Sequence, residues 1–193
     1  ERDLPQFGAA LPAETMRRLW TMMAYSQGGL LNAAQLSKSL GIDVRTINRY
    51  IDLFTGLLLV RRLLPWHGNI GKRLVKSPKI YLRDSGILHS LLGLTTLEEV
   101  MSHPVAGLSW EGFVIENIIN SLASAGLDFE PYFYRTSAGA EIDLLICLPG
   151  GRRYAFEIKR SLAPAPGKGF WNAHADLEPA WSYVVYPGDE TYP

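Results

Sequence analysis

From residue 12 onward, apolar side chains recur at helical spacing. Met16, Leu19, Trp20 and Met23 follow one another at three- and four-residue intervals behind Pro12, a residue suited to open a helix, and predict a first helix over about 12–25. After Gly28-Gly29, the stretch from Asn32 to Leu40 places Ala33, Leu36 and Leu40 on one face of a second helix. Gly41 supplies its stop, and Asp43 the N-cap of a third helix. In that third helix Val44, Ile47, Ile51 and Phe54 share one face, and Arg45, Asn48, Arg49 and Asp52 the opposite one.

The pattern then turns aliphatic and β-branched from Leu57 to Leu64, breaks at Pro65, Gly68, Asn69 and Gly71, and resumes as a strand over Lys79–Leu82. This predicts a hairpin wing whose loop and return arm carry Lys72, Arg73, Lys76 and Lys79. Asp84 to Leu92 reads as a short closing helix, and Thr95 to Gly107 as a transition with a turn at His103-Pro104, which divides the chain into domains 1–100 and 101–193. The second half opens with a helix over Ser109–Ala125. Strands are predicted at Tyr132–Arg135, Glu141–Leu148, Tyr154–Lys159 and Tyr183–Tyr186, with a helix near Phe170–Asp176 before the last, giving the order α-β-β-β-α-β. The fold class is α+β, with an N-terminal winged helix-turn-helix followed by an α/β domain built on a mixed central sheet.

At 193 residues and 47% hydrophobic, the chain can bury one generous core or two modest ones. Its zero net charge conceals an imbalance. Residues 1–90 hold 13 Lys and Arg against 6 Asp and Glu, and residues 91–193 hold 6 against 13. A basic half suits anionic partners, and an acidic half suits cations. The single cysteine, Cys147, rules out an internal disulfide framework and a cysteine-based zinc site, and points to a cytoplasmic setting. No unbroken apolar run approaches the roughly 18 residues of a membrane span, so no membrane partner is expected. The chain begins at Glu1 without methionine, which suggests a piece of something longer.

A helix, a short glycine-containing turn and a second helix with a charged outer face form the helix-turn-helix arrangement, whose second helix enters the DNA major groove. Arg45, Asn48 and Arg49 would then face bases or phosphates, with Lys72, Arg73 and Lys76 of the wing on phosphates. In the second half, side chains alternate along a strand, so Glu141 and Asp143 share one face of the first hairpin arm, and Glu157 and Lys159 one face of the next. A turn centred near Gly150 would set Asp143 opposite Glu157. Juxtaposed carboxylates repel unless neutralised, and Mg2+ or Mn2+ does so with oxygen ligands. Glu111 lies within the apolar stripe of Val114, Ile115, Ile118 and Leu122 and is a candidate third ligand. Glu116 falls with Asn120 and Ser124 on the polar face, where solvation suffices, and Glu141 is expected to pair with Lys159 or Arg160.

Glu111, Asp143 and Glu157-Ile-Lys159 resemble the PD-(D/E)XK superfamily, the restriction-endonuclease-like fold, over the second half of the chain. The resemblance implies that Asp143, Glu157 and Glu111 bind magnesium or manganese and that Lys159 assists the attacking water in hydrolysis of DNA. The residue before Asp143 is Ile142, where the superfamily motif has proline. Longer strings, Asn69-Ile-Gly-Lys-Arg-Leu-Val-Lys-Ser-Pro-Lys-Ile-Tyr81, Asp84-Ser-Gly-Ile-Leu, Gly107-Leu-Ser-Trp-Glu-Gly-Phe-Val114 and Tyr134-Arg-Thr, resemble the C-terminal region of a bacterial and archaeal AAA-type ATPase family. The ATPase half is then expected upstream of Glu1, and the absence of a Gly-x-x-x-x-Gly-Lys-[Ser/Thr] loop means no ATP site in this fragment. Two readings stay open: a metal-dependent nuclease module guided to DNA by its winged helix, and a non-catalytic DNA- or protein-binding platform regulating the ATPase. Oligomeric state is open as well.

Overall fold

In the computed structural model, residues 12–68 and 71–191 are described; Asn69, one of the expected loop breakers, lies outside them. Three helices come first: α1 (Ala13–Tyr25), α2 (Ala33–Leu40) and α3 (Val44–Gly56). Their ends are set by local chemistry. The Asn32 side chain accepts a hydrogen bond from the Gln35 N–H at 2.9 Å and starts α2. Gly41, at φ 68°, ends α2 in the left-handed region that other residues enter only at a cost. Two residues later the Asp43 carboxylate accepts from the Thr46 N–H at 2.9 Å and opens α3. The tight turn expected between α2 and α3 is therefore a C-cap followed by an N-cap.

The chain divides into two compact units, Glu1–Arg62 with Ile80–Ser109, and Leu63–Lys79 with Trp110–Pro193. In the first, Met16, Leu19 and Met23 of α1 pack with Leu36 of α2 and with Ile47, Tyr50, Ile51 and Phe54 of α3. Tyr50 takes the buried place expected of Val44, which is 42% exposed at the first turn of α3. Trp20 stacks on Phe54 at 5.7 Å between ring centroids. Burying each such side chain contributes roughly 1.5–3 kcal/mol, and this core is what holds the polar face of α3 outward.

Strand β1 (Val60–Pro65) and strand β2 (Lys79–Leu82) straddle the division between the units. Helix α4 (Ser85–Leu91) follows, capped by Asp84. The stretch expected to be a plain transition contains a further helix, α5 (Leu97–Ser102). A reciprocal capping box between Thr96 and Glu99 nucleates it, although it buries no residue. Helix α6 (Ala106–Ser124) begins one turn before the Ser109 start expected for it.

The second unit continues with β3 (Glu130–Arg135), β4 (Glu141–Cys147), β5 (Arg153–Ile158), α7 (Lys168–Leu177) and β6 (Trp181–Val185), in the order α-β-β-β-α-β expected from α6 onward. The strands form one mixed sheet in the order β2-β1-β3-β4-β5-β6. β3, β4 and β5 pair antiparallel, while β1–β3 and β5–β6 are parallel. Between β5 and β6, α7 buries Phe170, Ala173 and Leu177 against Tyr134, Ile142, Leu145 and Ala155. That close approach needs Gly169, where a Cβ would stand 2.7 Å from the Gly139 carbonyl oxygen. The arm expected to project as a wing is hydrogen-bonded to β3 and the turn after it. Trp66 N–H donates to the Phe133 carbonyl at 2.7 Å, Val75 N–H to that of Arg135 at 3.0 Å, and Ser137 N–H to that of Arg73 at 2.9 Å. These bonds satisfy backbone groups that an isolated wing would leave to water.

Phe54→Ala should lower the stability of the first unit by roughly 3–5 kcal/mol, because a fully buried ring and its stack on Trp20 are lost together. Val44→Ala should cost far less. Chemical denaturation of the two variants, followed by tryptophan fluorescence, checks the contrast.

Candidate functional site

The β4–β5 ladder pairs Leu144 with Phe156 and Leu145 with Ala155. The β3–β4 ladder shifts register between Ile142 and Leu145, and Asp143, within that irregularity, lies close enough to Glu157 for their charges to interact. The Asp143 carboxylate is fixed there, its Oδ2 accepting from the Ile158 N–H at 2.8 Å. Along the start of β4, Ile142 and Leu144 are buried while Glu141 and Asp143 keep partial exposure. Helix α6 is held to the end of β5 because the Trp110 indole N–H donates to the Lys159 carbonyl at 3.0 Å. The next residue, Glu111, is thereby carried to the same carboxylates. The sequence-derived group of Glu111, Asp143, Glu157 and Lys159 thus comes together within the second unit.

At the centre of this group is a residue that sequence reasoning assigned to the wing. Lys79, the first residue of β2, is 4% exposed. Its Nζ lies 3.2 Å from Glu111 Oε1, 2.9 Å from Glu141 Oε1 and 3.9 Å from Asp143 Oδ1, and 5.5 Å from the centroid of the Phe133 ring. Burial alone would push its ammonium down, but Glu111, Asp143 and Glu141 outweigh burial and hold it above the ordinary lysine range. Lys159 pairs with Glu157 at 2.5 Å and is likewise raised, its burial outweighed by the Glu157 hydrogen bond and charge. Asp143 is pushed up to about 7 by its burial first, then by Glu111 and Glu157, against the opposing pull of Lys79.

Two expectations are corrected here. Glu141 does not pair with Lys159 or Arg160 but with Lys79, and at 3.5 Å with the Arg135 Nε, because both of those partners lie on the near side of β4. Glu116 is buried rather than solvated, at 5% exposure. The buried stripe of α6 runs through Gly112, Ile115, Glu116 and Ile119, one position round from the stripe drawn through Ile118 and Leu122. No local signal marks Lys79, because its position depends on the order of strands and on α6.

Carboxylate oxygens are the donors a hard divalent ion takes, so the chemistry of the set suits magnesium or manganese. Its arrangement does not. Among the described residues no group of three or more His, Cys, Asp or Glu is placed to hold a metal ion, and the Lys79 ammonium has the space among Glu111, Glu141 and Asp143.

The nucleic-acid candidates fall on two units. Arg45, Asn48 and Arg49 are exposed on α3 in the first, and Lys72, Arg73 and Lys76 are exposed in the second. Lys72 is engaged by Asp176, whose other oxygen accepts from the Tyr134 hydroxyl at 2.7 Å. Burial first and that hydrogen bond second raise the Tyr134 hydroxyl above the usual tyrosine range. Among the described residues, no helix is long and apolar enough to cross a membrane.

Residues 1–98 match the model of a domain of unknown function, DUF8612. The chain belongs to that family. Residues 106–193 match a second domain of unknown function, DUF4143. Uncharacterized proteins of Mycobacterium tuberculosis and Mycobacterium bovis are each 46% identical to it over all 193 residues. The chain spans 43% of the length of these relatives. No solved structure matches it.

A carboxyl raised in the folded state binds its proton more tightly folded than unfolded. It therefore favours folding below the ordinary carboxylate range, and that contribution is lost as pH rises through about 7. Asp143→Asn, which keeps an acceptor for the Ile158 N–H, removes this dependence. Its melting temperature relative to the parent chain should climb between pH 5 and pH 8; a constant difference in thermal scans across that range would contradict the assignment.

Proposed function

We propose that this chain is a non-catalytic, DNA-binding module of a protein whose AAA-type ATPase part lies outside it, working in the cytoplasm. The observation that carries the reading is the construction of α3. Its core-facing side chains, Ile47, Tyr50, Ile51 and Phe54, are buried, its start is capped by Asp43, and Arg45, Asn48 and Arg49 are exposed along its outer face. A helix held rigidly by its packed face, preceded by α2 and a three-residue turn, is what a recognition helix requires. Arginine and asparagine there can make bidentate contacts to guanine and adenine edges, or contact phosphates. On this reading α1 to α3, with the flanking strand segments, are a winged helix-turn-helix, and the second unit is a PD-(D/E)XK-like platform. Its carboxylates are already opposed by Lys79 and Lys159, so DNA retention calls for no divalent ion.

A second reading, a nuclease acting on DNA, is favoured by one observation. Glu111, Asp143, Glu157 and Lys159 share one cluster, and Asp143, held at about 7, would exchange a proton near neutral pH. Lys159 would then act on the reacting phosphate.

Fluorescence anisotropy on labelled duplex DNA, in EDTA and at stepped salt, tests the first reading. The chain should bind at low salt and weaken steeply as salt rises. Arg45→Ala with Arg49→Ala should weaken binding about tenfold or more, while Asp143→Asn should leave it unchanged. Absence of duplex binding at low salt, or indifference to the double substitution, would remove the reading. Plasmid and branched DNA incubated with Mn2+ decide the second, for which Lys159→Ala must abolish cleavage while DNA retention persists.

A further inference from the structure

The resemblance to metal-dependent nucleases calls for a dication at Glu111 and Asp143, and this chain places a lysine side chain against both. Lys79 is anchored at the first position of β2, and its side chain keeps only 5% of its exposure to solvent. An ammonium has three N–H donors and no acceptor. Glu111 from α6 and Glu141 from β4 take two of them at hydrogen-bond distance, and Asp143 stands at 3.9 Å on a third side. The Phe133 ring closes the approach from β3. Four carboxylates, Glu111, Glu141, Asp143 and Glu157, are gathered here, and two of them are held directly by Lys79.

We infer that the Lys79 ammonium is the resident cation of this cluster, held by Glu111 and Asp143, two of the three carboxylates that the resemblance assigns to a divalent metal, together with Glu141, and that it excludes such an ion for as long as it stays. A dication admitted among the same oxygens would lie within a few ångströms of a buried like charge, and in a medium less polarisable than water that repulsion is larger than water could screen. Metal and lysine are therefore alternatives. The converse also follows: with the charge of Lys79 removed, Glu111, Glu141 and Asp143 lose the buried cation that stands among them, and their hard oxygen donors become a place for one. The inference goes beyond DNA retention by α3 and stands or falls independently of it.

The test uses the full chain and two readouts that need no activity: thermal unfolding, and electron paramagnetic resonance of Mn2+ to count bound ions. The parent chain should bind no Mn2+ at about 100 µM and should melt at the same temperature with Mn2+ as in EDTA. Lys79→Met, which keeps an unbranched apolar stem, should melt about 10 °C lower in EDTA and regain most of that loss with Mn2+, binding one ion per chain. Adding Asp143→Asn to Lys79→Met should restore stability in EDTA and abolish the Mn2+ response. Lys79→Gln replaces Lys79→Met should the latter fail to fold. One Mn2+ bound per parent chain, or a melting temperature of the Lys79 variant that Mn2+ does not move, overturns the inference. Loss of DNA binding on the α3 substitutions is read separately and bears only on the proposed function.

Discussion

An ammonium taken out of water must be surrounded by negative charge, and the second unit is arranged around that requirement. Lys79 starts β2, Glu111 lies near the start of α6, and Glu141 and Asp143 alternate along β4. A buried ion pair of this kind contributes little over a well-packed apolar alternative, yet breaking it is costly because a charge is left uncompensated. Its effect is therefore on choice among arrangements. A slip of β4 by one residue would turn Glu141 away from the ammonium and from Arg135, its partner across the ladder. The hydrogen bond from the Ile158 N–H to Asp143 closes the same register from the β5 side. Ladder, helix position and charge are thus mutually dependent.

The elements whose information is local were legible in sequence. For α1, α2 and α3 the apolar spacing and the residues Asn32, Gly41 and Asp43 mark both interior and ends, because caps and amphipathic faces are written within a few residues of where they act. The nearness of Asp143 to Glu157 was legible only in part: the turn at Gly150 and Gly151, both at φ 82°, joins β4 to β5 as a hairpin, but the register shift in β4 beside Asp143 has no signal in the sequence. Helix α5 was missed although its signature was present: Thr96 and Glu99 are a capping box, but without a buried face there is no periodicity to accompany it. The burial of Glu116 was missed for a different reason. The apolar content of α6 extends around much of its circumference, so the centre of its buried stripe is set by what packs on it and not by the helix itself.

Lys79 shows the limit of local reasoning most clearly. In isolation Lys-Ile-Tyr-Leu reads as a strand with a charged, solvated start. Whether that start meets water depends on β1 lying beside β3 in parallel and on α6 being pinned at Lys159. Parallel neighbours are joined by long connections, so no turn signal fixes them. The metal expected from the carboxylates and the lysine found among them answer the same electrostatic demand. Sequence reasoning identified the demand from Glu111, Asp143 and Glu157 and lacked the strand order that supplies the cation.

The basic residues divide along similar lines. Lys72 faces Asp176, which is nearly buried and also holds the Tyr134 hydroxyl. To reach a phosphate, Lys72 would have to leave a carboxylate that keeps its burial but loses its counter-charge, a cost that offsets the attraction of the phosphate. The Arg73 carbonyl is occupied by the Ser137 N–H, which fixes the backbone of that arm beside the turn after β3. In α3, by contrast, Arg45, Asn48 and Arg49 project from a helix whose other face is fully committed to a core. Their approach to an anionic partner would displace water and no buried acid. Charge counting alone treats these basic residues as equivalent; burial of the opposing groups separates them, and leaves an anionic partner less to displace on α3 than at Lys72 of the arm between β1 and β2.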